Sequence, residues 1–103
     1  MLAVTRCRVP PAEADTFVAA ARDVLEVLGG RPGFGRGWVG QAMDDESQWV
    51  LSTEWESVGA YRRGLSAYDA KVALAPLMAF ILDEPSAYDV VWSVQAKLPA
   101  QDR

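Results

Sequence analysis

Few residues in this sequence can do chemistry. Histidine is absent, which removes the commonest general base near neutral pH and the commonest metal ligand. Cys7 is the one cysteine, so no internal disulfide can form. Its place in a strand-like alternation points to a buried thiol rather than a nucleophile. The informative residues gather between Arg31 and Tyr61, where three of the four tryptophans lie: Trp38, Trp49 and Trp55. Indole rings offer flat walls for an aromatic guest. A tyrosine hydroxyl, with an ordinary pKa of about 10, donates a hydrogen bond well at neutral pH and is a poor base. Asp44, Asp45 and Glu46 bring three carboxylates together, but at the tip of a polar loop, which suits solvated charge better than a metal cage. Arg62, Arg63, Tyr68, Asp69 and Lys71 read as solvated helix faces. Nucleophile elbow, phosphate loop, dinucleotide fingerprint and zinc spacing do not occur.

These residues need elements to position them. Residues 2–9 alternate as a short strand that Pro10 and Pro11 end. Residues 12–28 follow, with Phe17, Ala21, Val24 and Leu28 spaced as one helical stripe. Gly29 and Gly30 stop that helix, and Pro32 prevents a restart. Residues 34–43 read as a glycine-rich strand. There Gly35 and Gly37 suggest a bulge, room for Trp49 or Trp92 across the sheet, or room for a ligand. Residues 44–47 form a hairpin loop. Residues 48–55 return as a strand with Trp49, Leu51, Thr53 and Trp55 on one face. Ser57 caps a second helix, on which Tyr61, Leu65 and Tyr68 recur. Pro76 divides it, leaving one helix to about residue 75 and a short one over 76–82. Residues 88–98 alternate as an eleven-residue last strand.

The order β-α-β-β-α-β defines an α+β, ferredoxin-like fold with a four-stranded antiparallel sheet and helices on one face. Residues 1–98 make a single domain, and residues 99–103 are expected to fray. Val39, Met43, Val50 and Val91 suggest that the other sheet face is partly apolar. A second copy packing sheet to sheet would cover it, so a homodimer is expected. The formal charge of −4, with scattered basic residues, argues against a nucleic-acid or anionic-membrane partner. Apolar runs are too short to span a bilayer, and the N-terminal residues lack a signal peptide's long apolar core. The expected location is the cytoplasm.

With that order in place, the Arg31–Tyr61 stretch resembles the antibiotic biosynthesis monooxygenase family. The resemblance rests on Pro32-Gly33-Phe34 opening the second strand, Trp55-Glu56-Ser57 ending the third, and Ala60-Tyr61 shortly after. It implies a dimeric α+β barrel with a pocket between sheet and helices in each subunit. In the polyketide-quinone-forming members an Asn, a Trp and a Tyr line that pocket. The Trp and Tyr match Trp55 and Tyr61, while the Asn position holds Leu51. The haem-degrading members place an Asn, a Trp and a His at positions near Thr5, Gly64 and Ala73, and none of the three is present.

The resemblance therefore implies a cofactor-independent monooxygenase of a polycyclic phenol or hydroquinone, with no cofactor and no metal. Trp55 and Tyr61 are its expected catalytic residues, and Leu51, Trp38 and Leu65 its expected substrate-binding residues. Trp55 would support the ring system, Tyr61 would fix an oxygen atom, and Leu51 would make the wall apolar. Two alternatives stand beside it: a non-catalytic dimeric small-molecule binding or interaction module, and a polyketide isomerase or cyclase on the same fold.

Overall fold

The computed structural model describes residues 1–98. The expected fraying of residues 99–103 lies outside the described residues. Strand β1 (Leu2–Arg8) leads through a 3-10 turn (Pro11–Glu13) into helix α1 (Ala14–Gly29). Strands β2 (Phe34–Gln41) and β3 (Gln48–Trp55) form a hairpin, then come helices α2 (Val58–Ser66) and α3 (Tyr68–Leu74), a second 3-10 turn (Ala75–Leu77) and strand β4 (Ala87–Tyr88). The sheet order is β2-β3-β1-β4, with every neighbouring pair antiparallel. This is the expected ferredoxin-like arrangement, with the second helical segment in two pieces.

The helical stripe behaves as its spacing requires. Phe17, Ala21, Val24 and Leu28 are all buried on α1. Burying a large apolar side chain of this kind contributes roughly 1.5–3 kcal/mol. Phe17 meets the rings of Trp49 at 5.4 Å and Phe80 at 5.6 Å, in tilted and edge-on geometry. Cys7 and Leu77 complete that end of the core, each fully buried.

The Pro32-Gly33-Phe34 motif is a turn. Phe34 N–H donates to the Arg31 carbonyl at 3.2 Å, and Gly33 takes φ of 85°, as a type II turn with proline first and glycine second requires. A Cβ built on Gly33 would stand 2.5 Å from the Ala60 Cβ, so the turn also seats the start of α2. A β-bulge follows between Phe34 and Arg36. The room beside Gly37 goes to Leu25 and Phe34, whose Cδ2 and Cζ atoms lie 2.7 and 3.1 Å from a built Cβ, and neither Trp49 nor Trp92 is among them. Ser57 caps α2 as expected, its hydroxyl accepting from Ala60 N–H at 3.1 Å.

Four expectations change. The long helix to residue 75 breaks first at Ala67, which is extended at ψ 144°. The break lets α3 turn onto α1 and leaves Tyr68 84% exposed, off the apolar stripe. Pro76 sits inside a 3-10 turn rather than opening a second helix. The eleven-residue last strand is two residues long. Its register explains this: Tyr88 pairs with Leu2, the first residue of β1, so the antiparallel direction carries later residues past the end of their partner strand. Finally, Val39 pairs with Leu51 and belongs to the helix-facing side of the sheet, while Trp38 pairs with Ser52 and belongs to the open face.

Candidate functional site

Alternation along β1 and β3 sends Ala3, Thr5, Leu51, Thr53 and Trp55 toward the helices. Antiparallel pairing sets Ala3 opposite Thr53 and Thr5 opposite Leu51. Helices α1, α2 and α3 close over these residues but leave a hollow of about 210 Å³. Val24 and Leu28 reach it from α1, Tyr61 and Leu65 from α2, and Leu74 from α3. Met78, Ile81 and Ser86 complete it, and Met78, 63% exposed, marks its mouth.

The lining is aliphatic apart from four hydroxyl-bearing residues, Thr5, Thr53, Tyr61 and Ser86. Histidine, cysteine, carboxylate and amine side chains take no part in it. Such a surface can bind, exclude water and donate hydrogen bonds. It offers no imidazole or carboxylate to act as a general base. Among the described residues, no cluster of three His, Cys, Asp or Glu could hold a metal ion.

Three of the five expected site residues, Leu51, Tyr61 and Leu65, come together on this lining. Trp55 stands behind it. The residue is 4% exposed, its ring edge-on to Tyr61 at 5.9 Å and to Phe34 at 5.2 Å. Trp55 Nε1–H donates to Thr53 Oγ1 at 2.9 Å. The indole therefore packs behind Tyr61 and Thr53 and is absent from the lining. Trp38 is on the opposite face of the sheet, where the Arg36 guanidinium lies 4.8 Å from its ring centre. It does not reach the hollow.

Reading the sequence placed Thr53 on the helix-facing side of β3 without singling it out. Its signal was the polar residue set between Leu51 and Trp55 on a buried face. Thr5 entered only as the haem-branch position. Cys7 is near the hollow in sequence but not on its lining. Burial pushes its thiol up to about 11 from the usual 9.0, which keeps it protonated and inert at neutral pH. The acidic hairpin tip is a solvated turn: Asp45 Oδ1 accepts from Ser47 Oγ at 2.7 Å and Ser47 N–H at 3.0 Å. Those bonds hold the Asp45 carboxyl below the usual carboxylate range.

A ferredoxin-like sheet with helices over one face and a mostly aliphatic hollow between them defines a small α+β domain. A sequence model of the antibiotic biosynthesis monooxygenase family matches residues 1–73. The chain belongs to that family. Among solved structures, a mutant of SnoaB, a cofactor-independent oxygenase from Streptomyces nogalater, matches with a TM-score of 0.77 at 20% identity, covering 92% of this chain and 96% of that one. A second SnoaB structure matches at 0.66 and 21% identity, covering 93% and 94%. A conserved protein from Methanosarcina mazei Go1 matches at 0.72 and 16% identity, covering 84% of each chain. At these identities the likeness is one of fold. No curated protein sequence matches this chain.

Proposed function

We propose that this chain is a cofactor-independent monooxygenase whose substrate is a flat phenol, hydroquinone or anthrone. The observation that carries the reading is the hollow itself, apolar, hydroxyl-studded and empty of acid–base side chains. A site of this kind suits a substrate that brings its own reactivity. An anthrone ionised to its enolate is an electron-rich carbanion equivalent and can react with dioxygen directly. The balanced change converts its CH₂ to C=O: one oxygen atom stays on carbon, and the other leaves as water with the two hydrogens lost from that carbon. The protein's part is to bind, desolvate and orient. Tyr61 donates its O–H to the substrate oxygen, Leu51 and Leu65 exclude water, and Trp55 holds Tyr61 in place. SnoaB, a cofactor-independent oxygenase on the same fold, and the family match support the assignment.

The hollow lies below the roughly 300–1,000 Å³ of pockets for drug-sized ligands. In this reading a bicyclic guest is held inside, and a tricyclic one extends through the mouth beside Met78. The test is oxygen consumption with anthrone, coupled to product mass. Uptake with a gain of one oxygen and a loss of two hydrogens supports the reading. Tight binding without uptake favours the non-catalytic binding module, and an unchanged product mass favours an isomerase or cyclase.

The working form in this reading is a homodimer. The open sheet face carries Val4, Val50 and the 39%-exposed Trp38, and Val4 and Val50 line a broad concavity of about 720 Å³. Beyond β4, Val90, Val91, Trp92, Val94 and Leu98 are all exposed. Exposed apolar surface on this scale on a small domain points to association. Light scattering after size exclusion at micromolar concentration tests it, and a stable monomer there overturns it. We also take residues 1–98 as one domain, which limited proteolysis checks.

A further inference from the structure

We propose that Thr53 is the hollow's fixed hydrogen-bond donor, and that it selects guests bearing a carbonyl or phenolate oxygen. The proposal rests on the hollow being the ligand site. Thr53 is 4% exposed, the one buried polar or charged residue among the described residues. Its hydroxyl oxygen is already engaged by the buried Trp55 Nε1–H at 2.9 Å. An indole nitrogen can only donate, so Thr53 is the acceptor in that bond and its own proton points elsewhere. Among the described residues, the Thr53 hydroxyl donates to no protein group.

Thr5, Tyr61 and Ser86 bring the other hydroxyls of the lining, and none of them accepts a hydrogen bond from Thr53 among the described residues. Ala3 sits across the strand pair from Thr53, and Leu51, Leu65 and Leu74 share the lining with it. A buried hydroxyl proton without an acceptor is costly, and an oxygen of the guest supplies one. Trp55 thereby acts at one remove: it holds the Thr53 lone pair and so sets the direction of the O–H. Thr53 is a specificity-determining residue, and Trp55 is its positioning residue. The selection falls on acceptors. A ketone satisfies the hydroxyl and a phenolate does so more strongly, whereas a hydrocarbon of the same outline leaves it unpaired.

The test uses two bicyclic probes of one skeleton, 1-tetralone and tetralin, titrated against the intrinsic tryptophan fluorescence of the full chain. The wild type should bind the ketone roughly fivefold more tightly, the value of one neutral hydrogen bond. Thr53→Ser should keep that preference. Thr53→Val should abolish it by weakening ketone binding alone, with tetralin unchanged as the sign of an intact hollow. Equal affinities in the wild type, a preference that survives Thr53→Val, or no binding of either probe at millimolar concentration overturns the proposal. Should the valine variant not fold, the infrared carbonyl stretch of ¹³C-labelled 1-tetralone bound to the wild type decides. A shift to lower frequency from its alkane value, kept in Thr53→Ser, supports the hydrogen bond, and an unshifted band removes it. Oxygen uptake with anthrone is read separately. Ketone preference without uptake leaves Thr53 standing and removes the oxygenase, and uptake without ketone preference does the reverse.

Discussion

Gly64 touches the six-membered ring of Trp55 so closely that a Cβ built on it would stand 2.5 Å from Cη2 and 2.9 Å from Cζ3. Real Cβ contacts are not that short, and the atoms met belong to a rigid ring. Helix α2 can therefore approach β3 only where it carries a glycine. That approach brings Tyr61, one turn earlier on α2, edge-on to the same indole at 5.9 Å.

Gly64→Ala should thus destabilise the chain despite alanine's better helix propensity. Overpacking of this kind costs about 1–3 kcal/mol. Urea titration followed by tryptophan fluorescence measures it. A midpoint equal to or above that of the wild type would show that the ring yields freely, and the described packing would be wrong.

Tyr61→Phe and Trp55→Phe should separate hydroxyl from support. Tyr61 is partly exposed and its hydroxyl makes no hydrogen bond to protein among the described residues, so Tyr61→Phe should change stability by less than about 0.5 kcal/mol. Anthrone turnover should fall at least tenfold, on the order of 1–2 kcal/mol of lost transition-state stabilisation. Trp55→Phe should cost about 1–3 kcal/mol of stability through the space it leaves, and should lower turnover indirectly. Full turnover in both variants removes Tyr61 and Trp55 from the mechanism.

Leu51→Phe should fill the hollow from the β3 side. Extra carbon atoms at Leu51 enter space that is empty in the folded chain, so stability should be kept to within about 1 kcal/mol. Tetralin and anthrone affinity should fall by at least tenfold. Calorimetric titration beside thermal melting reads both, and undiminished binding with an unchanged melt would place the guest elsewhere.

Cys7 gives a pH signature. Its folded pKa of about 11 lies above the usual 9.0, with burial as the cause. A raised folded value means that the contribution is fully present below pH 9 and is lost as pH rises through about 11. The full swing is about 2–3 kcal/mol. Stability of the wild type should therefore fall more steeply than that of Cys7→Ala between those pH values, since the other titrating groups are common to both chains. Parallel curves would mean that the thiol is not desolvated. At neutral pH, iodoacetamide should leave the native thiol unmodified.

Much of the architecture was written in short-range patterns. The α1 stripe, the proline–glycine turn at Pro32-Gly33, the Ser57 cap and the alternation of β3 each depend on residues within a few positions of one another, and each formed as its pattern required. Leu51, Tyr61 and Leu65 met at one hollow because period-two and helical spacing fix which way they face. The misjudged elements depended on partners distant in the chain. The alternation after Tyr88 is genuine, but a strand needs a neighbour, and its register with β1 runs out at Leu2. The break at Ala67 answers to the docking of α3 on α1, and the room beside Gly37 to Leu25 on another element.

Periodicity assigns a side chain to a face, and this is why the sequence alone determined the β-α-β-β-α-β order, the apolar stripe of α1 and the helix-facing row from Trp49 to Trp55. Whether a side chain on that face borders empty space or solid packing depends on how closely three helices approach one sheet. Only the tertiary structure decided that Trp55 is locked against Gly64 and Phe34 while Leu51 and Thr53 look into a void. Packing distances of a few tenths of an ångström set that difference, and no spacing of residues along a chain encodes them.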